Sequence, residues 1–191
     1  MKIGILALQG DYDAHLKILR DCGMETQLVR DAKALEECSA LVIPGGESTT
    51  MSRLCDRYQL WEPLQTKIEN GMGVLGTCAG MIFLAKNIEG ATSNFQQKTL
   101  GVLDIDVARN AYGAQIESFE ADLEVKGIEG EPVRATFIRA PQVTRVGENI
   151  EVLSSWKDRP VIVRQGKLMA CAFHPEIAGE SRIHKLWLDS L

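Results

Sequence analysis

Gly73-Val74-Leu75-Gly76-Thr77-Cys78-Ala79-Gly80-Met81-Ile82-Phe83-Leu84-Ala85 decides how this chain folds. Its first four residues read as a short buried strand and its last five as an apolar helical run, with the change of backbone at Thr77-Cys78-Ala79-Gly80. A strand that passes directly into a helix belongs to a βαβ unit, and such units build parallel sheets. Gly76-x-Cys78-x-Gly80 also has the form of a nucleophile elbow, in which flanking glycines permit a strained turn that lifts the thiol above the end of the sheet. The unpaired amide N–H groups of a helix start favour thiolate over thiol there.

The same grammar recurs toward the N-terminus. Ala40-Leu41-Val42-Ile43 is an apolar run stopped by Pro44-Gly45-Gly46, after which Met51, Leu54 and Cys55 share one helical face. Ile3 to Leu8 reads as the first strand. Tyr12, Leu16 and Leu19 place a helix over Asp11 to Cys22, ended by Gly23 and followed by a strand at Gln27 to Val29. From Leu100 the pattern turns strand-rich: Val102 to Val107, Phe119 to Val125, Val133 to Ile138, Ile150 to Ser154, Val161 to Arg164 and Leu168 to Phe173. A final helix, Ser181 to Leu188, follows His174-Pro175-Glu176. With no internal repeat or linker, residues 1–191 read as a single α/β domain with a mostly parallel central sheet and added antiparallel strands.

Composition agrees with one substantial core: 191 residues, 45% hydrophobic and 25% charged. A net charge of -5 and a pI near 5.3 argue against a nucleic-acid partner, because phosphate binding needs concentrated Lys and Arg. Met1 to Leu8 gives way to Gln9-Gly10-Asp11 too soon for a signal peptide or a membrane span, so a soluble cytoplasmic protein is expected. Cys22, Cys38, Cys55, Cys78 and Cys171 include no CxxC spacing and leave one unpaired, which speaks against disulfides and against a metal cluster.

A thiol nucleophile needs a base. His174 stands at the end of the Leu168 to Phe173 strand, and triad members commonly come from separate strand ends. In an extended segment Glu176 points to the same side as His174 and can reach its ring, with Pro175 restricting the backbone between them. His15, in the first helix and near enough to the end of the first strand to approach the site, and His184, in the last helix, are the competing bases; His15 has no carboxylate in a comparable extended pairing, and structural or surface roles are expected for both. Cys22, Cys38, Cys55 and Cys171 read as small buried hydrophobes.

Gly76-Thr77-Cys78-Ala79-Gly80 with Phe173-His174-Pro175-Glu176 resembles the triad of the class I glutamine amidotransferases, and Pro44-Gly45-Gly46-Glu47-Ser48 strengthens the match. The resemblance implies that family's three-layer sandwich and a hydrolase in which Cys78, His174 and Glu176 release ammonia from L-glutamine through a γ-glutamyl thioester. Backbone N–H groups of Ala79 and Gly46 are the expected oxyanion donors.

Leu8-Gln9-Gly10, Pro44 to Met51, Arg109-Asn110-x-Tyr112-Gly113-x-Gln115, Ser118-Phe119-Glu120 and Phe137-Ile138-Arg139-Ala140-Pro141 are similar, in order, to the glutaminase subunits of pyridoxal 5′-phosphate synthase. That similarity implies that Gly46, Glu47, Ser48, Arg109, Ile138 and Arg139 contact glutamine. It further implies that Gln9 lies at the interface with a synthase subunit in a large hetero-oligomer, and that glutaminase activity is weak until that subunit docks. The synthase would join the ammonia to ribose 5-phosphate and glyceraldehyde 3-phosphate, so pyridoxal 5′-phosphate is a product and no cofactor is expected here. A guanidinium at Arg109 or Arg139 suits the α-carboxylate of glutamine, whereas Glu47 and Ser48 are equally suited to capping the next helix. The chain departs from that pattern at Asp11-Tyr12-Asp13 and at Ala114. Other readings are a glutaminase for a different amidotransferase pathway and a catalytically silent regulatory subunit.

Overall fold

The computed structural model describes residues 1–90, 97–109 and 118–191. The first half runs β1 (Lys2–Leu6), α1 (Tyr12–Asp21), β2 (Glu25–Val29), α2 (Ala32–Glu36), β3 (Ala40–Ile43), α3 (Ser48–Arg57), α4 (Trp61–Glu69), β4 (Gly73–Thr77) and α5 (Ala79–Leu84). The second runs β5 (Ala85–Glu89), β6 (Leu103–Ala108), β7 (Phe119–Leu123), β8 (Val133–Phe137), β9 (Gln142–Val146), β10 (Glu151–Trp156), β11 (Arg159–Gln165), β12 (Leu168–Cys171) and α6 (Ser181–Leu188).

The central sheet has seven strands in the order β10-β11-β12-β4-β3-β1-β2. From β12 to β2 every neighbouring pair is parallel, and β10 and β11 add antiparallel pairs at one edge. β3 and β4 are buried at every position, as strands covered on both faces must be. The connection from β1 to β2 runs one way along the sheet and those from β2 to β3 and β3 to β4 run the other. Right-handed crossovers therefore put α1 on one face and α2 and α4 on the opposite face. α6 packs against α1, and α2 against α4, which completes three layers.

A second sheet, β5-β6-β9, and a β7-β8 hairpin extend the core. Phe119, Phe137 and Trp156 stack with Phe119 centroids 4.6 Å and 4.5 Å from its two partners, and Phe137 meets Phe173 at 5.4 Å. This cluster ties the hairpin to the main sheet beside the segment that carries His174.

Several sequence expectations change. α2, α4, β5 and β9 are additional to the elements expected from pattern alone. α4 has buried Leu64 and Ile68, but its N-cap position is Leu60, whose side chain makes no capping bond, so its start signal is missing. The helix expected to run to Ala85 stops at Leu84, because Ala85 turns to φ -60° and ψ 151° and opens β5. β5 pairs with β6 in parallel, so the added strands are not all antiparallel.

Candidate active site

The site is assembled by the pairing of β12 with β4, in which Cys171 is the register partner of Thr77. The amide of Cys78 donates to the carbonyl of Cys171 at 2.8 Å, so the two chains leave the sheet side by side. One delivers Cys78 and the other His174. The amide of His174 in turn donates to Thr136 O at 2.9 Å, which fixes it against β8.

Cys78 adopts φ 48° and ψ -102°, a strained conformation for any residue but glycine. The strain therefore sits on the residue that carries the thiol. Gly76 and Gly80 are required for a different reason from the one the motif suggested, namely close approach. A Cβ on Gly80 would lie 2.1 Å from Ile43 O, and one on Gly76 would lie 2.7 Å from the backbone of Gly80. Gly45 faces the site equally closely, since a Cβ there would come within 2.3 Å of the His174 ring.

His174 Nδ1 is 2.7 Å from Glu176 Oε1, and both residues are buried. This pairing does not arise from strand alternation. β12 stops at Cys171, and Pro175 and Glu176 lie in a turn closed by Glu180 N donating to Pro175 O at 2.9 Å. Burial of the imidazole opposes its charge, but the bonds to Cys78 and Glu176 outweigh it and raise the His174 pKa to about 10. The ring thus keeps a proton at neutral pH. Cys78 Sγ also lies 3.7 Å from Ile138 O.

In front of the sulfur is a pocket of about 320 Å³ lined by Gln9, Gly46, Glu47, Ser48, Cys78, Ala79, Ile82, Arg109, Ile138, Arg139 and His174. It brings together every residue expected to act in catalysis, oxyanion or glutamine binding, or at the partner contact, except Glu176, which stands behind His174. Its volume is at the small end for ligand sites and suits an amino acid. Arg139 holds φ 45°, so the segment that follows Phe137 is strained where it meets the pocket.

The Glu47 carboxylate is committed to the start of α3. It accepts from Thr49 N at 2.9 Å, Thr50 N at 2.7 Å and Thr50 Oγ1 at 2.6 Å. Partial desolvation works against ionisation, yet the bonds from Thr50 and Thr49 prevail and lower its pKa to about 2. The Glu47 amide donates to Gln9 Oε1 at 2.6 Å, which couples the first loop to the second.

Gln97 was not anticipated. Its buried Oε1 accepts from Arg109 Nη1 at 2.9 Å and Ser48 Oγ at 3.2 Å, while Arg109 also reaches Thr49 Oγ1 at 3.3 Å. No local pattern marks this glutamine, whose importance comes from where a loop lands. Asn110, Tyr112, Gly113, Ala114 and Gln115 of the Arg109 motif lie outside the described residues.

Of the structural and surface roles expected for His15 and His184, the structure leaves the structural one. Neither is on the surface: both are fully buried, with His15 Nδ1 2.9 Å from His184 Nε2 and His15 Nε2 3.1 Å from Thr77 Oγ1. His15 Nε2 also lies 3.4 Å from Glu176 Oε2, a carboxylate distant in sequence. Burial, followed by the nearby His184 and His174, pushes the His15 pKa well below its ordinary value, and burial brings His184 down to about 4. Cys38, Cys55 and Cys171 are buried as expected, and Cys22 is half-buried. Among the described residues no three His, Cys, Asp or Glu side chains are placed to hold a metal ion together, and no helix is long and apolar enough to cross a membrane.

Known proteins resemble this chain in sequence and fold. A pyridoxal 5′-phosphate synthase subunit PdxT from Kosmotoga olearia is 48% identical over 191 residues, covering 100% of this chain and 98% of that protein. The PdxT of Pelotomaculum thermopropionicum is 50% identical over 99% of this chain and 94% of its own. A crystal structure described as a glutamine amidotransferase superposes with a TM-score of 0.91 at 46% identity, covering 98% of this chain and 97% of the other. PurLQS from Thermotoga maritima, at 16% identity and a TM-score of 0.75, shares the fold. The family model described as the SNO glutamine amidotransferase family matches residues 5–191, and with these identities over full length the chain belongs to that family.

Proposed function

We propose that the chain is the glutaminase subunit of a pyridoxal 5′-phosphate synthase, with residues 1–191 acting as one catalytic domain. The observation that carries the reading is the convergence of Cys78, His174 and Glu176 at the ends of β4 and β12, beside a pocket lined by Arg109 and Arg139. The names of the full-length relatives supply the pathway.

In this reading an arginine holds the α-carboxylate of glutamine while the Cys78 thiolate attacks the side-chain amide carbon. The carbonyl π electrons move to oxygen, and the amides of Ala79 and Gly46 donate to that oxyanion. His174, charged and held by Glu176, gives its proton to the amide nitrogen as the C–N bond breaks, and ammonia leaves. Water then attacks the thioester with His174 as base, and glutamate is released. Loss of one oxyanion donor is worth roughly a hundred- to a thousand-fold in rate. Ammonia free in water would be protonated, so delivery to a docked synthase subunit, with Gln9 at the contact, keeps it nucleophilic. The complex works in the cytoplasm as a hetero-oligomer, and the glutaminase needs no cofactor of its own.

Glutamate release is measured for the purified chain with and without a synthase subunit, beside Cys78→Ala. Activity that rises on docking and vanishes in the alanine variant supports the reading. Undiminished turnover by Cys78→Ala overturns the mechanism. Failure to form pyridoxal 5′-phosphate from ribose 5-phosphate, glyceraldehyde 3-phosphate and glutamine overturns the pathway.

A further inference from the structure

Behind the triad lies a buried polar chain that none of the steps above uses. Glu176 Oε1 is bonded to His174, but Oε2 is buried without a well-formed hydrogen bond. A carboxylate oxygen left bare in the interior is costly. Cys171 packs close by, but its thiol, pushed well up by burial, donates to Phe173 O at 3.5 Å. His15 Nε2, at 3.4 Å, is the donor facing Oε2.

The tautomers follow from the neighbours. His15 is neutral and carries one N–H. With the proton on Nε2, the ring donates toward Glu176 Oε2 and Thr77 Oγ1, while Nδ1 accepts from His184 Nε2–H at 2.9 Å. His184 Nδ1 then lies on the side of the Glu180 backbone with no well-formed hydrogen bond, and the choice of tautomer rests on the charge of the Glu176 carboxylate. The opposite assignment would set the lone pair of His15 Nε2 against the carboxylate.

We infer that His15 is a positioning residue for glutamine hydrolysis, its Nε2–H holding the Glu176 carboxylate in the orientation that His174 requires, and that His184 and Thr77 hold His15 in turn. The inference rests on the reading of Cys78, His174 and Glu176 as a triad. It links α1, which begins at Tyr12 shortly after Gln9, to the catalytic base through Glu176.

The test compares His15→Gln, His15→Asn and His15→Leu with wild type and Cys78→Ala, each assayed for glutamate release in complex with the synthase subunit. A glutamine amide nitrogen falls near the place of Nε2, and an asparagine nitrogen near that of Nδ1. His15→Asn and His15→Leu are expected to lose about tenfold to a hundredfold in kcat with KM for glutamine changed by less than about twofold. The basic limb of their kcat profile moves to lower pH, because His174 loses a fixed carboxylate. His15→Gln is expected to keep kcat within about threefold and the wild-type limb. Equal losses in folded His15→Gln and His15→Asn, or a wild-type pH limb in both His15→Asn and His15→Leu, overturn the inference. If His15→Leu fails to fold, the Gln and Asn pair decides alone. Residual turnover in Cys78→Ala would instead remove the triad on which it rests.

Discussion

Cys78 pays for its position with a backbone conformation that costs on the order of 1–3 kcal/mol, and its glycine neighbours make the room. Because a Cβ on Gly80 would meet Ile43 O at 2.1 Å, Gly80→Ala is expected to shift α5 away from β3. The expected outcome is a loss of stability of about 1–3 kcal/mol and slower alkylation of Cys78 by iodoacetamide, read by thermal melts and mass spectrometry. Arg109 is held by Gln97 and Thr49 at the pocket wall. Removing a charge-assisted bond to substrate is worth about 1.5–3 kcal/mol, so Arg109→Ala is expected to raise KM for glutamine roughly tenfold to a hundredfold with a smaller effect on kcat. Gln97→Ala should shift KM in the same direction by less, since the arginine stays but loses its support. Steady-state glutaminase kinetics check both.

At the scale of the element, α3 begins where the pocket ends, and one residue serves both. Glu47 caps Thr49 and Thr50 and, through its amide, binds Gln9. Glu47→Ala is expected to cost about 1 kcal/mol, the usual worth of a lost helix cap at a solvent-facing site. For a chain of this size that is a fall in Tm of about 2–4 °C. The pH dependence has a definite sign. The folded pKa of about 2 lies below the ordinary carboxylate value of 4.5, so the cap stabilises above about pH 4.5 and its contribution fades as pH falls toward 2. Wild type and Glu47→Ala should therefore converge in Tm in strong acid. β12 is the other decisive element: it carries no catalytic side chain, yet its pairing with β4 sets the separation of thiol and imidazole.

Across the whole molecule the histidines oppose one another. His184, depressed to about 4, and His15, pushed well below its ordinary value by burial, stay neutral in the fold while the unfolded chain takes up protons near 6.5. Their effect is full above about pH 6.5 and is lost as pH falls toward 4. His174, raised to about 10, stabilises fully below about 6.5 and loses that contribution as pH climbs through 10. His184→Gln keeps a donor in the α6 position but cannot titrate, so the slope of Tm against pH between about 4 and 6.5 should flatten. An unchanged slope would place the acid sensitivity elsewhere.

The alternation of apolar runs with helical stripes was enough to read a parallel α/β sheet, because hydrophobic period and glycine punctuation are local properties. The elbow around Cys78 and the His174-Pro175-Glu176 motif were legible for the same reason: each is a few consecutive residues whose types suit one chemistry. α4, without a capping side chain, and β5, exposed along most of its length, left too weak a local signal. Other features depend on chain segments far apart in sequence. That Gln97 braces Arg109, that Gly76 and Gly80 serve packing and not their own torsions, and that His15 and His184 stand behind Glu176 follow from strand order and helix docking. The sequence by itself determined the parallel α/β sheet and named the candidate residues for the chemistry. Only the tertiary structure decided which of the polar groups are buried together, because burial and hydrogen-bond partnership belong to the packed chain and to no segment of it alone.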